Sequence, residues 1–188
     1  MSIISQQIEQ YTAANSGFEE RREYVSLSQI HLPEEDIIRQ YFDGFKADHL
    51  ARLKCYKGYQ MERDLKDRIV NTFGNERVYT LPAVTAFDGI VAGHPDLLLD
   101  RIPADIKSVP LDEHLPVGRV PRRVFLQLQA YMLYGNWPRS LAIYESRETG
   151  RIADYGINPV VSVQNEIHAK LKRVVEYIVA QERRASNG

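Results

Sequence analysis

The stretch GHPDLLLDRIPADIKSV runs from Gly93 to Val109 and decides how the rest of the chain is read. Two apolar runs flank the segment DRIP, whose composition signals a turn, so the stretch reads as two short strands of a hairpin. Side chains alternate faces along a strand. Asp105 and Lys107, two residues apart, therefore share one face, and Ile106 points the other way, into a core. If the turn centres on Asp100 and Arg101, Asp96 lies across from Asp105. If it centres on Arg101 and Ile102, Asp96 lies across from Lys107. Both registers gather the polar ends of Asp96, Asp105 and Lys107 on one face.

Such a trio is either a set of solvated turn residues or a cation site with a lysine beside it. Two neighbouring carboxylates resist ionising together, and a divalent cation removes that penalty. Oxygen donors without a soft partner favour Mg2+ or Mn2+ over zinc. A cation there would acidify water and polarise a phosphoryl oxygen, and Lys107 would stabilise charge developing on a phosphate. That chemistry is phosphodiester hydrolysis. His94, close to Asp96 in the sequence, reads as a structural histidine rather than a ligand.

Outward from this stretch, ERVYTLPAVTAF reads as one strand or two. Asp88-Gly89 marks a turn, after which IVAGHPDLLL reads as a strand. Val109 to Val120 carries prolines and a glycine and reads as a loop. PRRVFLQLQAYMLYG reads as a helix, with Pro121 at its start and Gly135 at its end. SLAIYESR and RIADYGI form two adjacent strands around ETG. SVQNEIHAKLKRVVEYIVAQERR is a C-terminal helix burying Ile167, Leu171, Val174, Val175 and Ile178. Upstream, LPEEDIIRQYFDGF opens like a helix, with acids in its first turn. DHLARLKCYKGYQMERDLKDRIVNTFG has helical spacing and a plausible stop at Gly74. Gly58 interrupts it and suggests a kink or a close approach. The order of elements predicts an α/β fold, a mixed central sheet flanked by helices with a helical N-terminal extension.

With 188 residues the chain is expected to form one domain with a sizeable core. A net charge of −1 supplies no global field for a polyanion, so nucleic-acid binding must come from a local patch. A basic excess from Lys46 to Arg68 is one candidate. Arg119, Arg122 and Arg123 are another, because cations at a helix N-terminus oppose its dipole unless an anion joins them. Cys55 is the single cysteine, which excludes an internal disulfide and an all-cysteine metal or iron–sulfur site. No apolar run approaches the ~20 residues of a membrane helix, and the N-terminus lacks signal-peptide character. A cytoplasmic protein with no membrane partner is expected.

These residues also carry a resemblance. Pro95-Asp96 followed by Asp105-Ile106-Lys107 resembles the PD-(D/E)xK nuclease motif, and Gln127-xxx-Tyr131 is similar to the QxxxY element of its RecB-like exonuclease branch. Gly58 and Glu62 resemble the upstream element that supplies a further metal ligand. The resemblance spans residues 58–184 and implies a restriction-endonuclease-like core, with residues 1–57 as an extension. It implies that Glu62, Asp96 and Asp105 bind Mg2+ or Mn2+, with the Ile106 carbonyl as a fourth ligand. Asp96, Asp105 and Lys107 would form the catalytic set, while Gln127 and Tyr131 would brace the site or touch DNA; Arg122 and Arg123 join as DNA-binding candidates on the helix-dipole argument alone. CRISPR-associated exonucleases of this branch hold an iron–sulfur cluster on four cysteines, which one cysteine rules out here.

The function so implied is a metal-dependent DNA exonuclease acting on linear ends or single strands, in recombination, repair or phage replication. Two alternatives stand beside it: a DNA-binding or scaffold module of the same fold without turnover, and a structure-selective endonuclease. RNA stays open as a substrate. A homo-oligomer is compatible with all three, and a toroidal one would favour processive exonuclease action.

Overall fold

The computed structural model describes residues 23–44, 49–80 and 82–186. Readings that fall on residues 1–22 and 45–48, among them much of the extension, lie outside the described residues. Four helices are described: α1 (Glu34–Asp43), α2 (His49–Phe73), α3 (Arg122–Gly135) and α4 (Val161–Ser186). The strands are β1 (Val25–Ser26), β2 (Val78–Tyr79), β3 (Val84–Ala86), β4 (Val91–Gly93), β5 (Leu97–Leu99), β6 (Ile102–Val109), β7 (Ser140–Ser146) and β8 (Ile152–Ile157). They form a three-stranded sheet in the order β1-β4-β3 and a five-stranded sheet in the order β2-β5-β6-β7-β8. This is the mixed α/β architecture expected from the sequence, with helices against both faces of the larger sheet.

Local chemistry sets the helix ends. Pro33 precedes α1, and Glu34, Glu35 and Asp36 occupy its first turn, where negative charge complements the helix dipole. Pro121 precedes α3, and Asn136 ends it in the left-handed region at φ 53°. Gly74 ends α2 with φ +86°, its amide donating to the Val70 carbonyl. Gly58 does not break α2. The helix runs continuously from His49 to Phe73, and a Cβ at Gly58 would meet none of the described residues within 4 Å. Among the described residues nothing approaches Gly58 closely, so against them this glycine costs only helix propensity.

The larger sheet separates two cores. On one face α2 packs Leu65 and Ile69 against Val78, Leu97, Ala104, Ile106 and Ile143. On the other, α3 and α4 bring Leu128, Tyr131, Leu171 and Ile178 over Ala142 and Tyr144, continuing to Val91 of the smaller sheet and to Leu27 in the 3-10 turn after β1. Alternation along β6 follows: Ala104 and Ile106 face α2, whereas Asp105 and Lys107 face α3. Strands β6 and β7 run parallel, joined through α3 as a crossover.

IVAGHPDLLL is not one strand. Its first part is β4, paired with β1 and β3, and its second is β5, paired with β2 and β6. Gly93 to Asp96 carries the chain from one sheet to the other. Gly93 is needed there, because a Cβ would lie 2.8 Å from both Leu27 Cβ and Tyr131 Cε1. Asp100 and Arg101, at φ 51° and 66°, form the two-residue turn of the β5–β6 hairpin. Among the described residues no helix is long and apolar enough to cross a membrane.

Candidate active site

The hairpin register decides between the two arrangements allowed by the sequence. Leu97 pairs with Ala104 and Leu99 with Ile102, so Asp96 falls beside Asp105. The Asp96 amide donates to the Ala104 carbonyl at 3.0 Å. Its side-chain Oδ2 accepts from the Ile106 amide at 2.5 Å. The backbone of the second strand thus fixes the carboxylate of the first.

Asp105 is 1% exposed. Its two oxygens meet different groups. Gln127 Nε2 donates to Oδ1 at 2.9 Å. Lys107 Nζ stands 2.8 Å from Oδ2, an ion pair without hydrogen-bond alignment. Nζ also donates to the Ile106 carbonyl at 3.0 Å. The Lys107 side chain as a whole keeps 28% exposure.

From Gln127 a chain of hydrogen bonds continues. Its amide nitrogen donates to the Tyr131 hydroxyl at 2.9 Å, and that hydroxyl donates to the His94 carbonyl at 2.8 Å. Gln127 and Tyr131 are one helical turn apart on α3, as their spacing requires. At 5% and 2% exposure they are interior groups that brace Asp105 and the crossing between sheets, which separates them from surface groups. His94 itself is exposed, and it serves through its backbone carbonyl rather than its ring.

Glu62, on α2, lies close enough to feel both Lys107 and Asp105. Burial raises its carboxyl above the ordinary range, and Lys107 works against that shift. Burial, then the Asp105 charge, pushes the Asp96 carboxyl up to about 7. Burial alone would lower the Lys107 ammonium, but Asp105, Asp96 and Glu62 outweigh it and hold the pKa above its usual value. The pocket therefore carries more negative charge than one lysine balances. Among the described residues, no three histidine, cysteine, aspartate or glutamate side chains close into a ready-made metal cage. Lys107 Nζ instead leans on Asp105 Oδ2.

Tyr144 was not singled out by sequence reasoning, since a tyrosine in an apolar strand reads as core. It lies on β7 in register with Lys107. Burial, then Asp105, pushes its phenol up to about 12, so it stays a protonated donor. Only the parallel pairing of β6 with β7, a non-local fact, could have pointed to it. Arg122 and Arg123 are exposed in the first turn of α3, which has no side-chain cap and no acidic residue.

No family model matches the sequence, and no curated protein matches it. Solved structures do. An alkaline exonuclease, LHK-Exo from Laribacter hongkongensis, aligns over 95% of this chain and 98% of its own, at 15% identity and a TM-score of 0.64. The same exonuclease in complex with dAMP aligns over the same shares at 16% identity and a TM-score of 0.63. SSO0001 aligns over 91% of this chain and 87% of its own, at 15% identity and a TM-score of 0.56. The chain thus shares the fold of an alkaline exonuclease along nearly its whole length.

Proposed function

We propose that this chain is a divalent-metal-dependent deoxyribonuclease that degrades DNA from its ends. One observation carries the reading. A buried aspartate, Asp105, is held on one oxygen by Gln127 and approached on the other by Lys107, with Asp96 beside it across the hairpin. The shared fold with an alkaline exonuclease supports it, and the dAMP complex of that enzyme favours a nucleotide substrate.

The residues fit a hard cation. Asp96 and Glu62 are both displaced upward by burial, and the Asp105 charge adds to the displacement of each. A divalent ion relieves that kind of frustration. Asp96, Asp105 and Glu62 would hold Mg2+ or Mn2+, with the Ile106 carbonyl available once Lys107 releases it. When bound, such an ion supplies Lewis-acid polarisation of a phosphoryl oxygen and acidifies water.

The chain's own groups do the rest. Lys107 keeps its proton and offers N–H donors where negative charge grows on the phosphate. Gln127 stops the Asp105 carboxylate from rotating, and Tyr131 stops Gln127 from leaving. The Ile106 amide holds Asp96 in its plane. Arg122 and Arg123 engage backbone phosphates at the open first turn of α3.

End-labelled linear, circular and single-stranded DNA should be incubated with Mn2+, Mg2+ or chelator, beside Asp105→Ala and Lys107→Ala. Metal-dependent loss of linear but not circular DNA, absent in both variants, is the expected result. Cut circles would replace exonuclease with endonuclease action. DNA retardation on a gel without cleavage by wild type would overturn the enzymatic reading in favour of a binding module.

A further inference from the structure

A cavity of about 790 Å³ is walled by the first turn of α3, the loop before it and strand β8 at the edge of the larger sheet. It is separate from the Asp105 site. Tyr155, in its wall, pairs with Ala142 of β7, and Ala142 pairs with Asp105. Two strand spacings, about 10 Å, therefore divide the backbones of Asp105 and Tyr155. The loop wall is fastened, because the Tyr155 hydroxyl donates to the Pro116 carbonyl. The Tyr155 ring is held in turn, edge-on to Tyr144 with centroids 6.1 Å apart.

The lining has two characters. Phe125, Tyr155 and Val117 give it apolar surface, and Val117 is 92% exposed, a side chain the core does not use. Arg119, Arg122 and His114 give it donors, and no aspartate or glutamate lines it. Among the described residues neither arginine has an ion-pair partner. Arg119 precedes α3 and Arg122 opens it, where the free amides of an uncapped helix already carry positive charge. The two cations repel each other and oppose the dipole, and a bound anion reverses both penalties. An anion alone would leave the apolar wall unused. Guanidinium forks match phosphate oxygens, and aromatic side chains take the flat face of a base. A phosphate joined to an aromatic ring satisfies both halves, and the volume lies in the range of small-molecule sites.

We propose that this cavity is a nucleotide subsite, with Arg119 and Arg122 on the phosphate and Phe125 and Tyr155 against the base. The choice of a nucleotide over other aryl phosphates rests on the nuclease reading, whereas the pairing of anion and ring chemistry does not. The nucleotide comes from one of two sources. One is the bound strand, of which about three steps of roughly 3.4 Å span the distance from Asp105. The other is released mononucleotide.

Binding is measured on the full chain in excess chelator, by calorimetry with thymidine monophosphate and by fluorescence anisotropy with labelled single-stranded DNA. Arg119→Ser removes an exposed cation, and Phe125→Leu keeps an apolar side chain of similar size without the ring. Circular dichroism checks that both fold. Each should weaken binding about tenfold or more, whereas Asp105→Ala should not. Weakened mononucleotide binding identifies released product as a ligand, and weakening with the strand alone identifies bound substrate. Wild-type affinity of both variants for both probes overturns the proposal. So does a loss confined to Arg119→Ser, which would make the cavity only part of a basic rim. A wild type that binds through these residues but cleaves no DNA sinks the nuclease reading and leaves the subsite standing. One that cleaves, with variants that bind like it, does the reverse.

Discussion

The metal-free protein should become more stable when Asp96 loses its charge. In the folded chain the Asp96 carboxyl is pushed from 3.8 up to about 7, by burial first and by Asp105 second. Between about pH 4 and pH 7 the folded state thus holds a proton that the unfolded chain has released. Stability must fall as pH rises through that window, and above it the full cost is present. The displacement sets an upper bound of about 4 kcal/mol. Asp96→Asn removes the charge but keeps the shape and an oxygen to accept from the Ile106 amide. Lys107 loses an anionic neighbour in the same variant, which trims the expected net gain to about 1–2 kcal/mol. For a chain of this size that is a rise in Tm of about 3–6 °C. The assay is thermal unfolding followed by circular dichroism in excess chelator, at pH 8 and at pH 4.5. The gain should appear at pH 8 and nearly vanish at pH 4.5, where Asp96 is protonated in the fold. Added Mn2+ should stabilise wild type and leave the variant almost unmoved. A lower Tm for Asp96→Asn at pH 8, or an equal gain at both pH values, would refute the electrostatic reasoning.

Gln127→Leu strips the Asp105 Oδ1 donor and the hydrogen bond to Tyr131 together. It should cost about 1–3 kcal/mol in urea unfolding and lower kcat about 10- to 100-fold with little change in KM. Gly93→Ala should destabilise by about 1–3 kcal/mol, since the new methyl meets the Leu27 Cβ, which cannot swing aside; an unchanged urea midpoint would contradict this. Arg122→Glu with Arg123→Glu should hold or slightly raise Tm, since acids in a first turn complement the helix dipole, but weaken DNA binding. The salt slope of affinity should shrink by about 1 for each phosphate that the variant no longer neutralises, measured by fluorescence anisotropy across ionic strengths.

Much of the site was legible because its logic is local. Asp105 and Lys107 share a face through a period of two, and Gln127 and Tyr131 share one through a helical turn. The turn at Asp100 and Arg101 then left only one register to learn. The crossing between sheets was not legible. IVAG and DLLL are both apolar, so nothing but Pro95 hints that their hydrogen bonds go to different neighbours. Strand β1 is two residues long and owes its conformation to β4 rather than to its own sequence. Gly58 misled in the other direction. A glycine inside a helix signals a close approach only if something approaches, and that depends on partners far along the chain.

The bond from the Tyr131 hydroxyl to the His94 carbonyl has a consequence for how the molecule fails. Through Gln127, it couples the attitude of Asp105 to the junction where the small sheet departs. That sheet has strands of only two and three residues and should open in sub-global fluctuations well below the energy of complete unfolding. Each opening removes the stop that keeps Gln127 on the carboxylate. Inactivation by mild denaturant should therefore run ahead of the loss of helical signal, with amide exchange around residues 91–96 rising in step with the loss of activity.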